Sequence, residues 1–134
     1  MHRDRTVLII DDDEDFREST EALLASEGYH VVLARSAKDG LAKLEECDPD
    51  IIVLDIMMES AEAGYGVNYS IKNLPQYERW EHVPIVMVSS IDQSPDVRFP
   101  RAPEVDLIRP DKYLTKPIDA DLFLDTLSKL LQHA

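Results

Sequence analysis

Apolar residues in this chain fall in short unbroken runs, and each run stops at a polar residue. The clearest is Ile51-Ile52-Val53-Leu54, which leads straight into Asp55. A run this short, rich in β-branched residues and without alternation, reads as a strand buried on both faces, the kind found in parallel sheets. Pro49 and Asp50 mark its start. Thr6-Val7-Leu8-Ile9-Ile10 is a second such run, closed by Asp11-Asp12-Asp13-Glu14-Asp15. His30-Val31-Val32-Leu33-Ala34 is another. Pro84-Ile85-Val86-Met87-Val88 is the next, closed by Ser89-Ser90, and the short Lys112-Tyr113-Leu114-Thr115 is closed by Lys116-Pro117.

Helical periods fill the gaps. Asp13 is a good N-cap for a first helix with Phe16, Thr20, Leu23 and Leu24 on one side, and Gly28 suits the position just past its end. Ser36 caps a second helix reaching about Cys47, with Ala37, Leu41 and Leu44 inward. Residues 59–66 read as a loop, and a third helix spans about Val67 to Leu74, shortened by Pro75. Trp80, in the connection that follows, reads as a lid over the core. Residues 91–111 hold Pro95, Pro100, Pro103 and Pro110 and resist a helix; a long irregular loop with at most a short turn near Pro103 to Ile108 is expected. A last helix starts at Asp119 or the residue before it, with Leu122, Phe123, Leu127, Leu130 and Leu131 on its apolar side. The alternation of strand and helix predicts an α/β fold, a parallel sheet with helices on both faces.

Composition narrows the function. At 134 residues the chain has room for one domain with a real core. A net charge of −13 argues against nucleic acid and against an anionic membrane surface as partners. No apolar run is long enough to span a bilayer, and the start of the chain lacks the apolar stretch of a signal peptide. Cys47 is the single cysteine, so no internal disulfide forms and a cytoplasmic home is expected. His2, His30, His82 and His133 form no metal-ligand spacing.

In open α/β sheets, ligands bind beyond the carboxyl ends of the strands. Those ends carry Asp11 and Asp12, Asp55, Ser89, and Lys116. Any one of the acids alone reads as a turn or capping residue. Together they form a chemical set. Asp11 and Asp12 have no basic residue nearby in sequence, and hard oxygen ligands gathered this way suit Mg²⁺. Asp55 can then act as a nucleophile toward a phosphoryl group, with Lys116 and Ser89 each contacting an oxygen of that group.

With these residues in this order, the sequence resembles the receiver domain of bacterial two-component response regulators, and the likeness covers essentially the whole chain. It rests on Asp11-Asp12 after the first strand, Asp55 after the third, Ser89 after the fourth, and Lys116-Pro117 after the fifth. The resemblance implies a doubly wound, flavodoxin-like sheet of five parallel strands in the order 2-1-3-4-5. It implies Asp55 as phosphoacceptor, and Mg²⁺ bound by Asp11, Asp12, Asp55 and the backbone carbonyl of Met57. Ser89 becomes the switch hydroxyl and Tyr113 the switch aromatic. The Lys116–Pro117 bond is often cis in the family. The implied donor is a sensor histidine kinase or a phosphotransfer protein carrying phosphohistidine, and an unidentified downstream protein reads the changed surface. On this reading residues 1–134 are a single receiver domain with no output domain, either stand-alone or part of a longer protein, and an enzyme only toward its own phosphoryl group. Two rivals stand beside it. One is a pseudo-receiver that binds partners without being phosphorylated. The other is a haloacid-dehalogenase-like phosphatase, which Asp11-Asp12-Asp13 mimics but which gives Asp55 and Lys116-Pro117 less to explain.

Three positions depart from the family pattern. Glu59 stands four residues past Asp55, where receivers commonly carry Pro. The stretch from Ser89 to Lys116 is long and Pro-rich, so the fourth helix is expected to be short or missing, as in a subset of receivers with a long fourth loop. Ser90 replaces a common Ala. In addition, Met57 places a thioether two residues past Asp55, where it cannot orient an attacking water. Self-dephosphorylation is therefore expected to be slow, and Met57→Asn to shorten the half-life of the phosphorylated chain. An unchanged half-life overturns this expectation.

Overall fold

The computed structural model describes residues 5–56, 63–89 and 112–132. The irregular loop expected over 91–111, residues 59–62 of the loop expected at 59–66, and the Met57 carbonyl lie outside these residues. The strands are β1 (Thr6–Ile10), β2 (His30–Ala34), β3 (Ile51–Asp55), β4 (Ile85–Ser89) and β5 (Lys112–Thr115). The helices are α1 (Glu14–Ser26), α2 (Ala37–Cys47), α3 (Ala63–Asn73), a 3-10 helix (Pro75–Trp80) and a last helix (Ala120–Gln132).

All strand pairs are parallel and run in the order β2-β1-β3-β4-β5. This is the doubly wound order, with its switch point between β1 and β3. Alternate residues of each strand feed opposite cores. Leu8, Ile10, Ile52, Leu54, Ile85 and Met87 pack toward Leu44, Val67, Ile71 and Trp80. Val7, Ile9, Ile51, Val53, Val86 and Val88 pack toward Leu24, Phe123, Leu127 and Leu131. Central β1, β3 and β4 are buried on both faces, which is why their sequences show no alternation. Edge strands β2 and β5 are more exposed.

Local signals act as the sequence suggested. Asp13 caps α1 by accepting from the Asp15 and Phe16 amides, and Gly28 takes positive φ just past that helix. The Ser36 hydroxyl accepts from the Asp39 amide at the start of α2. At the amino edge of the sheet, Asp50 accepts from the Thr6 amide at 2.7 Å and fixes β3 against β1. Trp80 is buried, and its indole N–H donates to Asp48 Oδ1 at 2.9 Å. Cys47 packs against the α2 side of the core; burial pushes its thiol up to about 11, the value of an inert packing residue.

Two expectations are corrected. α3 begins at Ala63, four residues before the expected Val67. Gly64 has little helix propensity, but its amide donates to the Ile56 carbonyl at 2.8 Å, and its backbone lies against the end of β3. This tertiary contact outweighs the propensity that argued for a loop. Leu122 is not on the apolar side of the last helix and is 52% exposed. The inward stripe is Phe123, Leu127 and Leu131, spaced by whole i, i+4 steps, with Thr126 beside it.

A Cβ at Gly64 would collide with the Asp55 carbonyl and with Ile56, whereas one at Gly66 meets nothing within 4 Å. Gly64→Ala is expected to cost about 1–3 kcal/mol in denaturant unfolding. Gly66→Ala is expected to be neutral or stabilising by up to about 1 kcal/mol. Equal behaviour of the two variants contradicts the close approach of α3 to β3.

Candidate functional site

The carboxyl ends of β1 and β3, neighbours at the switch point, deliver three acids to one place. Carboxylate oxygens of Asp11, Asp12 and Asp55 lie within 4.8 Å of one another. Asp11 and Asp55 are buried, at 1% and 6% exposure, while Asp12 is open to solvent.

Asp11 is held on several sides. Its amide donates to the Ala34 carbonyl at 3.1 Å, continuing the β1–β2 ladder by one step. Its Oδ1 accepts from the Asp13 amide at 2.9 Å, and its carbonyl accepts from Arg17 Nη1 at 2.7 Å. Its other oxygen, Oδ2, is buried and faces the Lys116 ammonium at 3.1 Å. The same ammonium lies 3.8 Å from Asp55 Oδ1. Three carboxylates sharing one close ammonium among the described residues form an oxygen-rich donor set suited to a hard divalent cation. Glu14 and Asp15, the other acids of the run, are exposed in the first turn of α1, where the helix dipole favours them.

Lys116 arrives from β5. Its amide donates to the Ser89 carbonyl at 2.7 Å, extending the β4–β5 ladder to the strand ends, and the Lys116–Pro117 peptide is cis. Ser89 ends β4 and is buried at 3% exposure. In the register it sits one step beyond Val88, the partner of Asp55. Tyr113, three residues before Lys116, is half-buried on β5 opposite Met87 and packs on the α2–α3 side of the core. Of the residues singled out in the sequence, Asp11, Asp12, Asp55 and Lys116 thus converge, Ser89 lies at the same edge, Tyr113 lies farther back on β5, and Met57 is outside the described residues. Sequence reasoning gave no role to Arg17 and placed Phe16 in the core alone. Their contacts with Asp11 and Lys116 depend on how α1 leaves the sheet, which no local pattern encodes.

Burial pushes the Asp11 carboxyl above its ordinary value near 3.8, and the Asp12 charge adds to the rise. The Asp13 amide and the Lys116 ammonium oppose it without cancelling it. A carboxyl raised in the folded state favours folding below its ordinary range, and that contribution is lost as pH climbs through the raised value.

Residues 7–128 match the family model described as the response regulator receiver domain. The chain is 34% identical over 121 residues to the protein PilG of Pseudomonas aeruginosa, covering 90% of this chain and 83% of that protein. It is 34% identical over 92 residues to the transcriptional regulatory protein AfsQ1 of Streptomyces coelicolor, covering 69% of this chain but only 38% of that protein. Among solved structures, the chemotaxis protein CheY4 of Vibrio cholerae superposes with a TM-score of 0.76 at 25% identity, covering 94% of this chain and 98% of that one.

In a chelating buffer, Asp11→Asn is expected to melt at a higher temperature than the parent near pH 7. The gap is expected to close as pH falls below about 4, where Asp11 is neutral in both states. A parent that is the more stable at pH 7 contradicts the burial argument.

Proposed function

The chain belongs to the response regulator receiver domain family, and from that premise we propose that Asp55 is the residue that accepts the phosphoryl group. One observation supports this above the others. Asp55 is a buried carboxylate at the switch point, with two further acids and an ammonium gathered around it.

The donor on this reading is a phosphohistidine of a sensor histidine kinase or phosphotransfer protein. An Asp55 oxygen attacks phosphorus, the P–N bond to a donor imidazole protonated on its other ring nitrogen breaks with the electron pair going to nitrogen, and an aspartyl phosphate forms as neutral histidine leaves. Asp11 and Asp12 with Asp55, joined by the Met57 carbonyl, would hold Mg²⁺. The buried Asp11 Oδ2 and the three carboxylates gathered within 4.8 Å fit that ion. When bound, Mg²⁺ offsets the repulsion between carboxylate and phosphoryl oxygens. Lys116 leaves Asp11 to pair with a phosphoryl oxygen, which its ammonium, 3.8 Å from Asp55, can reach by a small rotation. Ser89, at the end of the neighbouring strand, turns its hydroxyl to another oxygen, and Tyr113 follows on β5, altering the surface that a downstream protein reads. Self-dephosphorylation and a cytoplasmic setting belong to the same reading. No described helix is long and apolar enough to cross a membrane.

Incubation with acetyl phosphate and Mg²⁺ is expected to add one phosphoryl group by intact mass. The addition should disappear with chelator and in Asp55→Asn. A mass unchanged in the wild-type chain, with Mg²⁺ binding demonstrated, favours the pseudo-receiver instead.

A further inference from the structure

Phe16 lies in the first turn of α1, half-buried against the core beneath that helix. Its ring also meets the site. The Lys116 ammonium sits over it, 4.5 Å from the ring centroid. Among the described residues that nitrogen meets Asp11 Oδ2 at 3.1 Å, Asp55 Oδ1 at 3.8 Å, and the aromatic face. A cation over a ring face is attracted by the ring quadrupole, more strongly as water is excluded. The Lys116 side chain is 27% exposed, so part of its hydration is already gone. A leucine at this position would fill the core but offer the ammonium no such partner.

We propose that Phe16 is a positioning residue that holds Lys116 against Asp11 when no divalent cation is bound, and so sets how easily that cation enters. The inference rests on reading the three carboxylates as the Mg²⁺ site. Two cations then compete for one oxygen, Asp11 Oδ2. Whatever anchors the ammonium there weakens the metal, and the ring, 4.5 Å away, is one such anchor. A contact of this kind at a partly exposed site corresponds to about a two- to fivefold change in an equilibrium.

The test separates the ring's charge-binding role from its packing role. Phe16→Leu is expected to bind Mg²⁺ about two- to fivefold more tightly than the wild-type chain by calorimetry. Phe16→Tyr, which restores the aromatic face, is expected to match the wild type. In a Lys116→Met background, Phe16→Leu is expected to change nothing, because the competing ammonium is gone. The ε-methylene protons of Lys116 supply a metal-free readout. They should resonate upfield in the wild-type and Phe16→Tyr chains and return to ordinary shifts in Phe16→Leu. Unchanged Mg²⁺ affinity in Phe16→Leu overturns the proposal, as does the same change in the Lys116→Met background. A wild-type chain that takes up no Mg²⁺ overturns both this proposal and the reading beneath it, and the methylene shift then reports whether the contact itself stands.

Discussion

Asp11, Asp12 and Asp55 bring three negative charges to one strand edge, and Lys116 brings one positive charge to meet them. Two of the acids are buried, so their repulsion is little screened by water. Much of the surrounding structure holds this unfavourable arrangement in place. The Ala34 carbonyl, the Asp13 amide and Arg17 fix Asp11 at both its backbone and one carboxylate oxygen. The Ser89 carbonyl fixes the backbone of Lys116. Gly64 lets α3 close against the carbonyl of Asp55 itself. A sheet buried on both faces supplies the rigidity, since β1, β3 and β4 have almost no freedom to slide.

The cost of such a site is local, and its use is a change of state. A receiver domain is a signalling switch rather than a classical enzyme, so its central acids need to respond to a ligand more than to be stable without one. A cluster of acids sharing one ammonium is suited to this. On the proposed reading, a cation or phosphoryl group that enters redistributes Lys116 among its partners. Because Lys116 continues β5, and Tyr113 and Leu114 on that strand pack into opposite cores, movement at the acids has a short mechanical path to both faces of the sheet.

Most of the fold was legible in the sequence because its signals are local. Unbroken apolar runs identified four of the strands, the short Lys112-Tyr113-Leu114-Thr115 before Lys116-Pro117 gave the fifth, and Asp13, Ser36 and Gly28 marked helix ends by their own hydrogen-bonding and conformational preferences. The acids and Lys116 were legible because each stands at or just past the end of a strand. What failed was tertiary. The start of α3 depends on Gly64 meeting β3, and the exposure of Leu122 depends on the rotational phase of the last helix. Arg17 and Phe16 carry no local mark of the site, since only the exit angle of α1 brings them to Asp11 and Lys116.

The central claim is chemical: the phosphoryl group sits on the carboxylate of Asp55. Borohydride reduction of the phosphorylated chain tests it directly, because an aspartyl phosphate is reduced to homoserine while free carboxylates are untouched. Peptide sequencing by mass spectrometry is predicted to find homoserine in place of Asp55 and intact aspartate at Asp11 and Asp12. Homoserine at Asp11 or Asp12 with Asp55 intact, or a phosphate that resists reduction altogether, would contradict the account.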